Sequence, residues 1–178
     1  MTTMVEKIVL CHESLSHAEI PHAFGGALAL AWCTFAARGT IDIDMNIFVE
    51  THMADQVFHA LPTEVSWTKA DVKKLVRDTQ IRVFWDATPL DIFLNSTPYH
   101  VDVQTRIRWE SFANSSIPFL SCKDVAVFKA FFNRGKDWVD IEEMQSAGTL
   151  DIPFVTDVLR QYLGSEDERV ERLRALIQ

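Results

Sequence analysis

Between Ile41 and Glu50 apolar side chains alternate with largely polar ones, the pattern of a β-strand that turns one face toward a core. Upstream of this segment, the glycine pair Gly25-Gly26 is followed by an Ala- and Leu-rich stretch that predicts a helix over 27–37. The run His22-Ala23-Phe24 before the glycines predicts a short strand. A strand, a glycine turn, a helix and a second strand in this order predict an α/β chain rather than a helical bundle.

The rest of the chain extends this prediction to a mixed sheet flanked by helices. The periodicity predicts helices at about 3–18, 51–61 and 70–78, strands at 81–85, 89–95 and 99–109, and four helices after residue 121. Ser121, Asp151 and Ser165 stand where the first, third and fourth of these last helices would be capped. We expect one compact unit in which residues 1–120 form a core and residues 121–178 form a C-terminal helical segment packed on it.

Composition limits the function classes. The chain has 178 residues, of which 48% are apolar and 24% charged, an ordinary globular composition that excludes a disordered chain. Its 17 basic and 25 acidic residues give a net charge of -8, which disfavours binding to an extended nucleic-acid duplex. Cys11, Cys33 and Cys122 contain no C-x-x-C pair, so we expect three reduced thiols. The N-terminal apolar run is too short for a signal peptide or a membrane span, so we expect a cytoplasmic protein without a membrane partner.

Three acidic residues fall where strands can bring them together. Asp42 and Asp44 are separated by one residue on a predicted strand, so both side chains project from the same face. Asp91 lies among apolar residues in another predicted strand, where an unpaired carboxylate is costly to bury. Carboxylate oxygens are the ligands that Mg²⁺ takes, and two metal ions held by three carboxylates suit in-line phosphoryl or nucleotidyl transfer. A glycine pair before a helix, such as Gly25-Gly26, lets backbone N–H groups approach a phosphate.

Each of these signals also has a simpler interpretation. Two acids on one strand face are usually only solvated, and a glycine pair alone is usually a turn. Lys129 has Val125 four residues before it and Phe132 three after it, so it either lies along a core-facing helix or points its charge into a cleft. Asp137 and Asp140 are equally consistent with helix-start and salt-bridge residues.

Taken together, two segments resemble the DNA polymerase β-like nucleotidyltransferase superfamily. The first segment is Phe24-Gly25-Gly26-Ala27-Leu28-Ala29-Leu30 followed by Arg38-Gly39-Thr40-Ile41-Asp42-Ile43-Asp44. Its spacing, and the arginine and threonine before the two aspartates, resemble in particular the abortive-infection and type IV toxin–antitoxin nucleotidyltransferases. The second segment is Asp124-Val125-Ala126-Val127-Phe128-Lys129 followed by Arg134-Gly135-Lys136-Asp137 and Asp140-Ile141. The resemblance covers about residues 21–141.

The resemblance implies a nucleotidyltransferase fold and a metal-dependent enzyme. Such an enzyme moves a nucleoside monophosphate from a nucleoside triphosphate, for example ATP, to an acceptor hydroxyl and releases pyrophosphate. The implied cofactor is Mg²⁺, or Mn²⁺ in its place, held by three catalytic carboxylates, Asp42, Asp44 and Asp91, of which Asp91 is the candidate general base. The implied nucleotide-binding residues are Gly25, Gly26, Arg38, Lys129, Arg134 and Lys136. Ala27 departs from the family pattern, because relatives often have a phosphate-binding serine there.

The acceptor and the biological setting stay open. The resemblance is consistent with a tRNA, a protein or a small molecule as acceptor, and with an antitoxin protein as partner. The main alternative is a catalytically silent nucleotide-binding or toxin–antitoxin interaction module on the same fold. A metal-dependent phosphohydrolase is a second alternative, which would hydrolyse the nucleotide without labelling an acceptor.

Overall fold

The computed structural model describes residues 2–37 and 39–176, which fall into two compact units. Residues 2–28 and 39–120 belong to the first unit, and residues 29–37 and 121–176 belong to the second. The described helices are α1 (Met4–His17), α2 (Gly26–Thr34), α3 (Ala54–Ala60), α4 (Lys69–Asp78), α5 (Pro98–Gln104), α6 (Cys122–Phe132), α7 (Gly135–Ser146), α8 (Ile152–Leu163) and α9 (Glu168–Ala175), with a 3-10 turn at Thr51–Met53. None of the helices in these described residues is both long enough and apolar enough to cross a bilayer.

The first unit is built on a mixed sheet of seven strands among its described residues. They are β1 (His22–Phe24), β2 (Ile43–Ile47), β3 (Val65–Ser66), β4 (Gln80–Trp85), β5 (Thr88–Leu94), β6 (Arg108–Phe112) and β7 (Ser115–Phe119). Their order across the sheet is β3-β4-β5-β2-β1-β7-β6. The pairs β2·β5 and β1·β7 are parallel, and the other four are antiparallel. This mixed sheet, in a chain that also carries the helices above, confirms the predicted α/β class.

Burial explains why the alternating sequence pattern predicts the central strand β2. Ile43, Met45 and Ile47 on one face are fully buried, and Asn46 on the other face is buried as well. Asp44 is the half-buried exception in this strand. The strand is shorter than the predicted 41–50, because residues 41 and 42 form a bend before the first ladder pair and the ladders end at Ile47.

The predicted strand over 99–109 is wrong in its first half. Residues 98–104 form helix α5, with Pro98 in its first turn, where the absence of an N–H group costs nothing. Tyr99 and Val103 are four residues apart and both buried, so the helical period decides this segment even though its polarity alternates. Strand pairing begins only at Arg108, and its partner β7 was not predicted.

The second unit contains helices α6 to α9 and the part of α2 after Leu28. Ser121 and Asp151 cap α6 and α8 as predicted, whereas Asp167 rather than Ser165 caps α9. Trp138 and Ile141 are among its fully buried side chains. The expectation of three reduced thiols is wrong, because Cys33 and Cys122 form a disulfide across a sequence separation of 89. Cys11, in the first unit, is a free and buried thiol.

Candidate active site

The strand order brings Asp44 and Asp91 side by side. In the parallel pair β2·β5 these two residues are direct register partners, although 46 residues of chain lie between them. Asp42 lies in the bend just before β2 and is held there by Thr40, whose Oγ1 donates to the Asp42 Oδ1 at 2.7 Å. We call Asp42, Asp44 and Asp91 the carboxylate cluster.

Gly26 lies against this cluster at the start of α2. A Cβ atom added to Gly26 would lie 1.8 Å from the Asp44 Oδ2. The backbone of Gly26 has a φ of +52°, which residues with a side chain rarely adopt. Gly25 donates its backbone N–H to the Asp44 carbonyl at 2.9 Å. A Cβ on Gly25 would come within 2.8 Å of the Asn46 Nδ2. Both glycines are therefore required for the helix to begin directly beside the Asp44 carboxylate.

Arg82 is a member of the site that the sequence patterns did not predict. It lies on β4 as the register partner of Asp91 on β5. Its guanidinium makes a two-pronged ion pair, with Nε donating to the Asp91 Oδ1 at 2.7 Å and Nη2 donating to the Asp91 Oδ2 at 2.6 Å. Nη2 also lies 3.5 Å from the Asp42 Oδ2. Hydrogen bonding to Asp91 is the main reason that the pKa of Arg82 is raised, and the charges of Asp91, Asp42 and Asp44 act in the same direction.

A sequence signal for Arg82 existed, although it was not specific. The side chains of β4 alternate between exposed and buried, and Arg82 is on its exposed face. The expectation that Asp91 needs a partner is met by this arginine in the present structure. Only the register of the β4·β5 hairpin shows which basic side chain of this protein pairs with Asp91.

The donor chemistry of the carboxylate cluster suits a hard divalent cation. All three side chains offer carboxylate oxygens, and the Gly26 position leaves the Asp44 carboxylate uncovered by a neighbouring Cβ. Over residues 2–37 and 39–176, however, no group of three His, Cys, Asp or Glu side chains already has the arrangement of a metal site. Both oxygens of Asp91 are engaged by Arg82. The three carboxylates are therefore chemically suited to a divalent metal ion. The Arg82 ion pair would have to change before all three could bind the same ion.

The predicted phosphate-binding cations Lys129 and Arg134 are engaged within the second unit. The Lys129 Nζ lies 2.5 Å from the Asp140 Oδ2 and 3.8 Å from the Asp137 Oδ1. Arg134 donates two hydrogen bonds to Asp137, from Nε to Oδ2 at 2.6 Å and from Nη2 to Oδ1 at 3.0 Å. Burial acts to raise the pKa of Asp137, but hydrogen bonds from Arg134 and the charge of Lys129 outweigh it, so this pKa lies below its ordinary value. Lys136 is exposed in the first turn of α7.

Arg38, the remaining predicted nucleotide-binding residue, lies outside the described residues. The structure thus brings together Gly25, Gly26 and the carboxylate cluster within the first unit. It holds Lys129 and Arg134 on carboxylates of their own unit, an arrangement in which both residues have a structural role.

Comparison with known proteins places the fold. No family model matches the sequence, and no curated protein matches it either. The solution structure of the antibiotic-resistance factor ANT(2'')-Ia is similar, with 15% identity and a TM-score of 0.57 over 99% of this chain and 91% of that one. Its crystal structure in complex with adenylyl-2''-tobramycin gives 14% identity and a TM-score of 0.57, over 98% and 96% of the two chains.

A second solved protein agrees with the first. The lincomycin-bound lincosamide antibiotic adenylyltransferase LnuA is 12% identical, with a TM-score of 0.55 over 83% of this chain and 99% of that one. At such identities the likeness concerns the fold alone. The chain has the nucleotidyltransferase fold, as predicted, whereas its assignment to the abortive-infection branch stays a prediction.

Proposed function

We propose that this protein is a divalent-metal-dependent nucleotidyltransferase that transfers a nucleoside monophosphate to a hydroxyl of a small-molecule acceptor. The observation that carries the proposal is the pairing of Asp44 with Asp91 on adjacent parallel strands, next to a helix start from which a Cβ is excluded. A scaffold without chemistry has no need to place two carboxylates in register beside a glycine with a φ of +52°. The fold that the chain shares with solved nucleotidyltransferases supports the same proposal.

Each residue of the site has a role in this reaction. Asp42, Asp44 and Asp91 would hold Mg²⁺ or Mn²⁺, which supplies charge neutralisation on the triphosphate when bound. Gly25 and Gly26 would contact the phosphates at the start of α2, where the helix dipole is positive. The acceptor oxygen attacks the α-phosphorus, the bond from that phosphorus to the pyrophosphate oxygen breaks, and Asp91 accepts the acceptor proton. The nucleotide-binding roles of Arg38, Lys129, Arg134 and Lys136 follow from the resemblance alone, and they stay predictions.

A small acceptor is favoured over an RNA for two reasons. The net charge of -8 repels a long phosphate backbone. The solved proteins of the same fold are described with small antibiotics, lincomycin in one case and an adenylylated tobramycin in the other. A tRNA or protein acceptor, with an antitoxin partner, is the form of the proposal that follows from the toxin–antitoxin resemblance alone.

A catalytically silent nucleotide-binding module is the second candidate, and Arg82 favours it. An arginine that occupies both oxygens of the third carboxylate is also what a fold without metal chemistry would use to neutralise Asp91. The two candidates make different predictions for nucleotide transfer, although both allow nucleotide binding.

A transfer assay separates them. The full chain is incubated with Mg²⁺, each of the four α-labelled nucleoside triphosphates, and three acceptor pools: aminoglycosides and lincosamides, total tRNA, and total protein. Asp44→Asn and Asp91→Asn test the cluster. Asp55→Asn is the matched control, because it removes one carboxylate of the first unit whose side chain is 67% exposed and outside the cluster.

The proposal expects a labelled small molecule with the wild-type protein and with Asp55→Asn, and no label with either cluster variant. Full transfer by Asp44→Asn would contradict the assignment of the cluster. Nucleotide binding without transfer to any pool would favour the silent module. Release of pyrophosphate or phosphate without a labelled acceptor would indicate a phosphohydrolase.

A further inference from the structure

Arg82 occupies the place in the first unit where a cation is expected to act. Its two-pronged ion pair covers both oxygens of Asp91, and its Nη2 reaches toward Asp42 at 3.5 Å. The guanidinium therefore bridges two members of the carboxylate cluster from strand β4. In a nucleotidyltransferase, these same oxygens would be the ligands of a divalent cation.

A guanidinium and a divalent cation cannot share these oxygens without a cost. The two charges have the same sign and would lie within a few ångströms, where Coulomb repulsion is large even in a partly solvated site. The Arg82 side chain is 51% exposed, against 17% for Asp91 and 32% for Asp42. The arginine can therefore move into water more easily than the carboxylates can, and the protein need not open to release it.

We propose that Arg82 is a positioning residue that holds Asp91 in the metal-free protein and competes with the divalent cation for its carboxylate. This inference rests on the proposed function of the carboxylate cluster. Free Mg²⁺ then binds weakly, because it must displace Arg82. A metal ion that arrives with a nucleoside triphosphate binds more strongly, since the phosphates bring further oxygen ligands and negative charge for the displaced guanidinium. Metal and nucleotide enter this site together.

The test is the binding of Mn²⁺ alone to the nucleotide-free full chain, followed by electron paramagnetic resonance of the unbound ion. Arg82→Gln removes the competing charge, so it should bind Mn²⁺ about tenfold more tightly than the wild type. Arg77→Gln is the matched control, because Arg77 makes the same kind of fork with its neighbour Asp78 at a surface position 73% exposed. Its Mn²⁺ affinity should equal that of the wild type.

Arg82→Lys keeps the test valid if Arg82→Gln folds poorly, and a double variant tests whether the gain depends on Asp91. Arg82→Lys retains the charge but cannot make the fork, so it should give a smaller gain in Mn²⁺ affinity. In Arg82→Gln combined with Asp91→Asn the gain should disappear. A merely structural role for Arg82 would instead lower the Mn²⁺ affinity of Arg82→Gln and of Arg82→Lys below that of the wild type.

The outcomes separate this inference from the proposed function. Unchanged or weaker Mn²⁺ binding by folded Arg82→Gln and Arg82→Lys overturns the inference, even if the wild type transfers nucleotides. Tighter binding in Arg82→Gln together with no transfer by the wild type upholds the inference and overturns the proposed function. An absence of Mn²⁺ binding in every variant overturns both.

Discussion

Gly26 is the residue with the least freedom in the site. Its missing Cβ and its positive φ allow α2 to begin against the Asp44 carboxylate. Gly26→Ala would place a methyl group 1.8 Å from the Asp44 Oδ2, so the carboxylate must turn away. We expect nucleotide transfer to fall by about 100-fold, as for other small displacements of a reacting group, while the protein stays folded. Initial rates of labelled transfer check this prediction.

Gly39→Ala is the matched control for this substitution. No atom lies within 4 Å of a Cβ built on Gly39, which belongs to the same unit. Its transfer rate should equal that of the wild type. A Gly26→Ala protein with the full rate would show that the Asp44 carboxylate does not need its present position.

Lys129 and Lys136 differ in burial, although both are predicted phosphate contacts. Lys129→Met leaves the buried carboxylates of Asp137 and Asp140 without this lysine's charge, so we expect the free energy of unfolding to fall by about 3 kcal/mol. Lys136→Met changes an exposed residue and should alter the stability by less than about 0.5 kcal/mol. Urea unfolding measures both values. Equal stability of the two variants would contradict a structural role for Lys129.

The link between α2 and α6 is the main covalent constraint in the described part of the second unit. Cys33 in α2 and Cys122 at the first position of α6 are joined by the disulfide. Its reduction frees a loop closed over a sequence separation of 89, which by chain entropy lowers the free energy of unfolding by up to about 4.5 kcal/mol. We expect urea unfolding to shift to lower concentration when dithiothreitol is added.

Thiol chemistry provides the controls for this prediction. A protein with Cys33→Ser and Cys122→Ser should not respond to dithiothreitol, whereas Cys11→Ala should respond as the wild type does. Burial raises the pKa of the Cys11 thiol to about 12, so this thiol should react with a thiol reagent only after unfolding. Three thiols titrated in the untreated, unfolded protein would contradict the disulfide.

The stability of the first unit should depend on pH through the buried His22, which contacts the half-buried His12. The His12 Nδ1 and the His22 Nε2 are 3.0 Å apart, and the His22 Nδ1 lies 2.8 Å from the Ile20 carbonyl. Burial is the main cause that lowers the pKa of His22 from 6.5 to about 4, and His12 adds to it, against the Ile20 carbonyl. Between these two pH values His22 binds a proton in the unfolded chain but not in the folded chain. The contribution of His22 to the free energy of unfolding is therefore fully present above about pH 6.5, and it is lost as the pH falls toward 4.

This single group contributes at most about 3 kcal/mol to the change in the free energy of unfolding. Urea unfolding at pH 7 and pH 5 measures the slope. His22→Gln should flatten it, and His59→Gln, at a side chain 66% exposed, should leave it as in the wild type. The same slope in both variants would place the pH dependence elsewhere.

Local patterns in the sequence were sufficient for much of the fold. The alternation in β2 and the caps at Ser121 and Asp151 predict elements that the structure contains, because period and capping act within a few residues. The glycine pair and the spacing of Asp42 and Asp44 also pointed to the carboxylate cluster. These features need no knowledge of distant parts of the chain.

Tertiary structure decided what depends on pairing between distant residues. The register of β4 with β5 selects Arg82 as the partner of Asp91, and the turn at residues 86–87 and the buried face of the hairpin set that register. The disulfide joins cysteines whose spacing carries no motif, and the buried pair Tyr99 and Val103 makes a helix of a segment with alternating polarity. The sequence by itself thus determined the local elements and the candidate ligands. Packing and strand register decided which charges meet, because both are set by the free energy of the assembled core.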